Sequence, residues 1–449
     1  MNKSFILIAA ALLSAVTMGA QSFSEGFLLK DYYRISSDNP AITPDHDYIS
    51  IGEFRSNVRN NVGAAAFLYP YEGRVVTALH SSVSAQKFAD GLKPVNAFDG
   101  GIKYNLVSYG IARGKNFHTF ELNARAVYGV SVPYDIFKFA KLGSSETPLN
   151  LEAMGLGAKM YAELVYGYSR KIGDKLSIGA RGKLLAGLYG ADYSFNRFDI
   201  ETGVDAYTAT IEGNLNLTST SYKIHPDENG ILSLTNLKSK GKLGMPSGAG
   251  LALDFGVEYT PVENLVLAAS ITDLGGLLWY YGNAGASSGE ISFAGVKDMA
   301  ITDFNENGLK KITDDLKNQA LEAIKLHSVQ GKTKFEMLQY QVNAGVKYSM
   351  PFYKALTVGV TGRYMYNKYT PYWDSRFGIA VNPLSWLDVT GNIGYGAYGI
   401  VWGAGASVRV LRFRINAMMQ NGFGGTLPYS SIPLLANNKV LTVGLTYDL

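Results

Sequence analysis

From Met154 onward, apolar side chains recur at every second position: Met154, Leu156, Ala158, Met160, Ala162, Leu164, Tyr166 and Tyr168, with Lys159, Tyr161, Glu163 and Ser169 between them. Successive side chains on a strand point to opposite faces, so this stretch has one greasy face and one wet one. The rhythm returns over 176–186 against Lys175, Ser177, Arg181 and Lys183, over 251–259 against Asp254 and Glu258, and over 338–348 against Gln339, Gln341, Asn343 and Lys347. Each run is about 9 to 13 residues long, the length of a tilted strand that crosses a bilayer. Soluble β-sandwiches alternate too. Strand length and the tyrosines near the ends of the runs (Tyr166, Tyr168, Tyr259, Tyr348, Tyr364, Tyr366 and Tyr395) favour a membrane barrel, whose interfacial girdles need amphipathic rings.

Composition supports this. Hydrophobic residues make up 47% of the 449, while charged ones make up 17%, against roughly a quarter in ordinary soluble domains. Mean hydropathy is only +0.01, so apolar residues are interleaved with polar ones and not gathered into helical spans. One uncharged stretch, 389–408, is rich in glycine and is expected to form two short strands joined near 397–399. A net charge of +4 without a basic cluster argues against nucleic acid. The absence of cysteine removes thiolate metal sites, iron–sulfur clusters and cysteine nucleophiles, and no cofactor is expected. Lys3, an apolar run over 5–16 and small residues up to Ala20 form a secretory signal over 1–20, so the mature chain is expected to start near Gln21.

Short connections alternate with long ones, as periplasmic turns alternate with outer loops. The expected fold class is therefore an all-β, transmembrane antiparallel barrel of about 14 strands in the outer membrane of a Gram-negative bacterium. Strand starts are placed near 61, 98, 116, 154, 175, 247, 264, 336, 356, 374, 386, 399, 411 and 439. Outer excursions are expected over 191–245 and 276–333. A hairpin is expected within 205–238 and an amphipathic helix over 307–327.

Several segments resemble an uncharacterised outer-membrane barrel family of Bacteroidetes, known as a domain of unknown function, which is itself similar to FadL-type and PorV-type barrels. They are Asn39-Pro40-Ala41, the run Phe-Leu-Tyr-Pro at 67–70, Val-Pro-Tyr-Asp at 132–135, the stretch 161–171 and the stretch 251–259. The resemblance implies 14 strands and an inward-folded N-terminal plug. Here that plug would be residues 21–55, carrying Asn39, Pro40 and Ala41, with the barrel over 56–449. It implies no particular substrate.

Parity places Arg125, Lys159, Glu163, Arg181, Lys183, Asp254, Glu258, Lys347, Arg363, Arg412, Arg414 and Asn416 in the lumen, with Arg412 and Arg414 beside Asn416 as the leading group. Their plain reading is ion pairing inside a wet interior; the functional one is a selectivity pathway. Asp303, Asn305, Asn307 and Asp314 have the spacing of a calcium loop, although Asp314 replaces the usual glutamate and the same residues suit a helix entry. Gly394-Tyr-Gly396-Ala-Tyr-Gly399 matches a dinucleotide pattern but continues as strand, which excludes that reading. The histidines lack an assigned serine or carboxylate partner, so an enzyme is not expected. The leading expectation is FadL-like passive uptake of a small or hydrophobic solute. The alternative is a structural or secretion-accessory barrel that binds cell-surface or secretion partner proteins through its outer loops. Outer-membrane lipid is the expected partner in both.

Overall fold

The alternating stretches pair with one another as antiparallel strands in the computed structural model. It describes residues 23–30, 32–142, 153–202, 207–233, 236–240, 244–293, 318, 325–367, 371–421 and 435–449. Fourteen strands form the wall: β1 (Tyr48–Asn60), β2 (Val95–Arg113), β3 (Asn116–Pro133), β4 (Gly155–Ile172), β5 (Leu176–Thr202), β6 (Gly248–Tyr259), β7 (Leu265–Tyr280), β8 (Gln341–Ser349), β9 (Leu356–Met365), β10 (Tyr372–Leu384), β11 (Leu387–Gly396), β12 (Gly399–Val410), β13 (Phe413–Gln420) and β14 (Asn437–Asp448). Each pairs with its neighbours in chain order, and β1 pairs with both β2 and β14, Tyr48 standing opposite Gly110 on one side and Asp448 on the other. The sheet therefore closes and its wall has no free edge.

Burial is inverted relative to a water-soluble core. Leu251 and Leu164 point outward and are 65% and 58% exposed, while Asp254 and Glu163 point inward and are fully buried. Tight turns join the strands at one end of the barrel; the long connections lie at the other, the loop end, together with the tight turn between Gly396 of β11 and Gly399 of β12. The wall also carries a local fault. β7 pairs with β8 over 265–272 and with Thr333–Met337 over 276–280; residues 338–340 separate the two pairings. Asp273 takes a left-handed backbone (φ 63°) opposite this break, and the β6–β7 register slips between Leu253 and Phe255.

Thirteen of the expected strand starts fall within a few residues of wall strands. The first does not: β1 begins at Tyr48, not near 61, and this also corrects the division at 55, because the segment inside the barrel gives way to wall at residue 48. The strand signal there was hidden because Glu53, Arg55, Asn57 and Arg59 face a charged lumen and interrupt the apolar rhythm. The excursion expected from 191 begins later, since β5 runs on to Thr202 and pairs there with strand Tyr207–Ser219. That strand pairs in turn with Asn283–Phe293, which extends the wall on one side. A small hairpin, Tyr222–Ile224 with Leu237–Ser239, falls where one was expected. The helix expected over 307–327 lies almost wholly outside the described residues; at its end, His327–Val329 is strand.

The residues between β1 and β2 form a separate unit at the loop end. It comprises a hairpin (Leu68–Tyr71 with Arg74–Thr77) and a helix at Ala85–Asp90 capped by Ser84, whose hydroxyl accepts from the Lys87 amide at 3.2 Å. Phe88 of that helix packs on Phe137 of the helix Tyr134–Leu142, which follows β3.

Candidate functional site

The lumen is occupied by the chain's own N-terminal segment. Helix α1 (Phe23–Leu28) and a turn of 3-10 helix (Tyr33–Ser37) lie inside the wall, with nearly every described residue of 23–41 buried. The segment is tied to strands all round the barrel. Glu25 accepts from Asn392 Nδ2 at 2.8 Å and Gln420 Nε2 at 2.5 Å. Arg34 donates to Glu121 at 2.6 Å and to Ser108 at 2.8 Å. Asp38 pairs with Arg55 at 2.9 Å, and Tyr32 donates to Glu53 at 3.1 Å. Asn39 Nδ2 donates to the carbonyls of Val257 and Ala269, each at 3.2 Å, and its Oδ1 accepts from the Ala41 amide at 3.0 Å.

Two wall glycines leave room for this. A Cβ at Gly403 would stand 1.9 Å from Glu25 Oε1, and one at Gly256 would stand 2.0 Å from Asn39 Oδ1. Any larger residue at either position meets the segment.

Most of the lumenal charges expected from parity are partnered. Arg125 pairs with Glu163 at 3.0 Å and Asp273 at 2.9 Å, and Lys183 with Asp254 at 2.7 Å and Asp273 at 2.5 Å. Arg181 pairs with Glu121 at 2.8 Å and donates to the Ser36 carbonyl. Arg363 pairs with Asp374, and Arg376 bridges Asp374 at 3.0 Å and Glu25 at 3.5 Å. Lys347 donates to the Phe27 carbonyl at 2.8 Å and lies over the Phe27 ring, near half-buried Glu258. Arg414 donates to the Tyr33 hydroxyl at 2.8 Å. Asn416 is buried beside Ser407. Paired charges inside a closed wall are what a polar interior requires, and among the described residues they leave no bare arginine row to select anions.

Arg412 is the exception among the expected lumen residues. It is exposed in the tight turn between β12 and β13, because Leu411 takes a left-handed backbone (φ 59°) and the strand reverses before the expected parity applies. The calcium-loop residues Asp303, Asn305, Asn307 and Asp314 lie outside the described residues. Where the segment leaves the lumen, the Ala112 amide, with Arg113 beside it, holds the Asp47 carboxyl below the usual carboxylate range.

Between the segment and the loop end lies a cavity of about 320 Å³. Arg125 and Tyr161 form its floor, Arg125 lying over the Tyr161 ring at 5.7 Å. Leu277, Trp279, Leu338 and Tyr366 line its sides. Its other charges are again paired, Lys159 with Glu336 and Lys334 with Asp192 at 2.7 Å. Sequence parity found Arg125 and Lys159 but not Asp273, which the wall fault turns inward. Asp374 and Arg376 share the inward parity of Gly378 and were legible on that ground. Glu25 and Arg34 lie outside any strand, so alternation says nothing about them.

Three solved barrels show how this chain compares. The toluene transporter TbuX of Ralstonia pickettii has 9% identity and a TM-score of 0.49, over 97% of this chain and 98% of that one. The toluene transporter TodX of Pseudomonas putida has 11% identity and a TM-score of 0.46, over 96% and 97%. A Pseudomonas aeruginosa FadL homologue has 11% identity and a TM-score of 0.48, over 96% and 98%. No curated protein matches the chain. The family profile described as "Family of unknown function (DUF5723)" matches residues 40–419, and the chain belongs to that family.

Proposed function

We propose that the protein is a non-catalytic outer-membrane barrel of a Gram-negative bacterium that admits a small, uncharged hydrophobic solute from the loop end and holds it above an N-terminal plug. The cavity carries this reading. Its aromatic and aliphatic lining suits an apolar body, and its cations are already satisfied by carboxylates. The outward leucines support a lipid-facing wall, since a surface of that extent in water is an aggregation hazard.

Trp279 supplies the test. With Trp373, Trp386 and Trp402 changed to phenylalanine, the detergent-solubilised protein is titrated with toluene, naphthalene and decanol while Trp279 emission is followed. A saturable change that Tyr161→Arg abolishes supports the reading. No saturable change with any of the three counts decisively against it.

A second reading is an accessory barrel that binds a partner protein at the cell surface. The loop-end unit favours it, because it packs on its own small core and presents Val75, 71% exposed, and Leu79, 59% exposed, away from that core. Changing both to serine leaves solute binding intact and abolishes partner recovery under this reading alone.

A further inference from the structure

We propose that Arg125, on the cavity floor, positions the N-terminal segment through a relay of buried ion pairs that runs down the lumen wall. Arg125 touches only wall residues through its hydrogen bonds, donating to Glu163 and Asp273. From Asp273 the relay passes to Lys183 at 2.5 Å, to Asp254 at 2.7 Å, to Arg181 at 3.8 Å, to Glu121 at 2.8 Å and to Arg34 of the segment at 2.6 Å. Signs alternate at every step. Each member has neighbours of the opposite sign, so removing one charge leaves the next with an unmatched partner in a medium that screens poorly.

The wall fault builds this relay. With its left-handed backbone, Asp273 donates its own amide to Asp254 Oδ1 at 2.7 Å, and that bond fixes its carboxylate between Arg125 and Lys183. A regular strand places only alternate residues inside, whereas here Thr272 and Asp273 are both buried inward. A strained, charge-bearing irregularity between the cavity and the segment links the two, and the coupling is reciprocal: loss of the Arg125–Asp273 pair loosens Arg34 at the far end, and release of Arg34 loosens Arg125.

This deepens the uptake reading, but its test needs no solute. The chain has no cysteine, so Ser37→Cys, an isosteric change at a buried residue of the segment, gives a unique thiol. Its reaction rate with a bulky maleimide is measured on the solubilised full chain, with the thermal midpoint of the barrel recorded in parallel. In this background Arg125→Met raises the rate by about tenfold, Arg125→Lys returns most of the protection, and Lys159→Met, which breaks a pair in the same cavity but outside the relay, leaves the rate unchanged. Should Arg125→Met not fold, Asp273→Asn breaks the same relay and is expected to give the same rise. The proposal is overturned if the thiol stays protected in Arg125→Met while Arg34→Met exposes it, or if Lys159→Met exposes it equally. Absence of a saturable change with toluene, naphthalene and decanol alike in the fluorescence titration refutes uptake and leaves this result standing.

Discussion

Asn39 of the N-terminal segment and Gly256 of the wall share one volume: a Cβ on residue 256 would lie 2.0 Å from Asn39 Oδ1 and 2.8 Å from Pro40 Cδ. The wall is thus built around the segment. Gly256→Val is expected to destabilise the docked segment by about 1–3 kcal/mol, the usual range for an overpacked site, while the barrel stays closed. Limited proteolysis checks this, since cleavage within 23–42 should accelerate with no loss of the heat-resistant barrel band.

Asn39 also fastens the segment by its amide, which spans the carbonyls of Val257 on β6 and Ala269 on β7. Asn39→Ala removes the donor and leaves two carbonyls that already serve the β6–β7 ladder, so the loss is expected to be about 1–3 kcal/mol. Denaturant unfolding in detergent should show the midpoint fall. A midpoint identical to that of the parent chain would show that the segment is held elsewhere.

Leu164 tests the medium outside the wall. It lies mid-strand on β4 and points outward. In a bilayer, Leu164→Arg should cost roughly 2–4 kcal/mol, falling towards nothing for arginines placed near the strand ends. Refolding into lipid vesicles followed by urea titration gives the number, and a neutral result at mid-strand would contradict a lipid-facing wall.

The sequence disclosed the wall better than its contents, for a physical reason. Alternation depends on the contrast between two faces, and from β2 onward outward leucines, valines and tyrosines stand against lumenal charges. β1 was misplaced because Arg55, Asn57 and Arg59 meet a lumen so charged that the inward face reads as loop. Parity identifies Arg125, Lys183, Asp254 and Arg414, but it cannot separate Arg412 from Arg414, because only the left-handed turn at Leu411 puts Arg412 outside. Asp273 carries the wrong parity for its orientation. Glu25 and Arg34 belong to a segment that owes its shape to the barrel around it and has no repeating pattern of its own.

Arg34 and Glu121 allow the hold on the N-terminal segment to be separated from the stability of the wall. Both are fully buried, and their 2.6 Å pair joins the segment to β3, with Arg181 holding the second carboxylate oxygen at 2.8 Å. Arg34→Met therefore strands only part of the Glu121 charge, and the loss is expected near the lower end of the 3–5 kcal/mol range for a broken buried pair, at about 3 kcal/mol. Glu121→Leu is expected to cost more, because it leaves both Arg34 and Arg181 short of a partner. The double variant removes the mismatch between Arg34 and Glu121, so its loss should fall below the sum of the single losses by about 1–3 kcal/mol. Unfolding in detergent measures that coupling. Planar-bilayer recording measures the consequence: Arg34→Met should show intermittent conductance where the parent chain is silent, because the segment is released from one side. Additive stabilities together with a silent Arg34→Met would mean that the pair neither holds the segment nor closes the lumen.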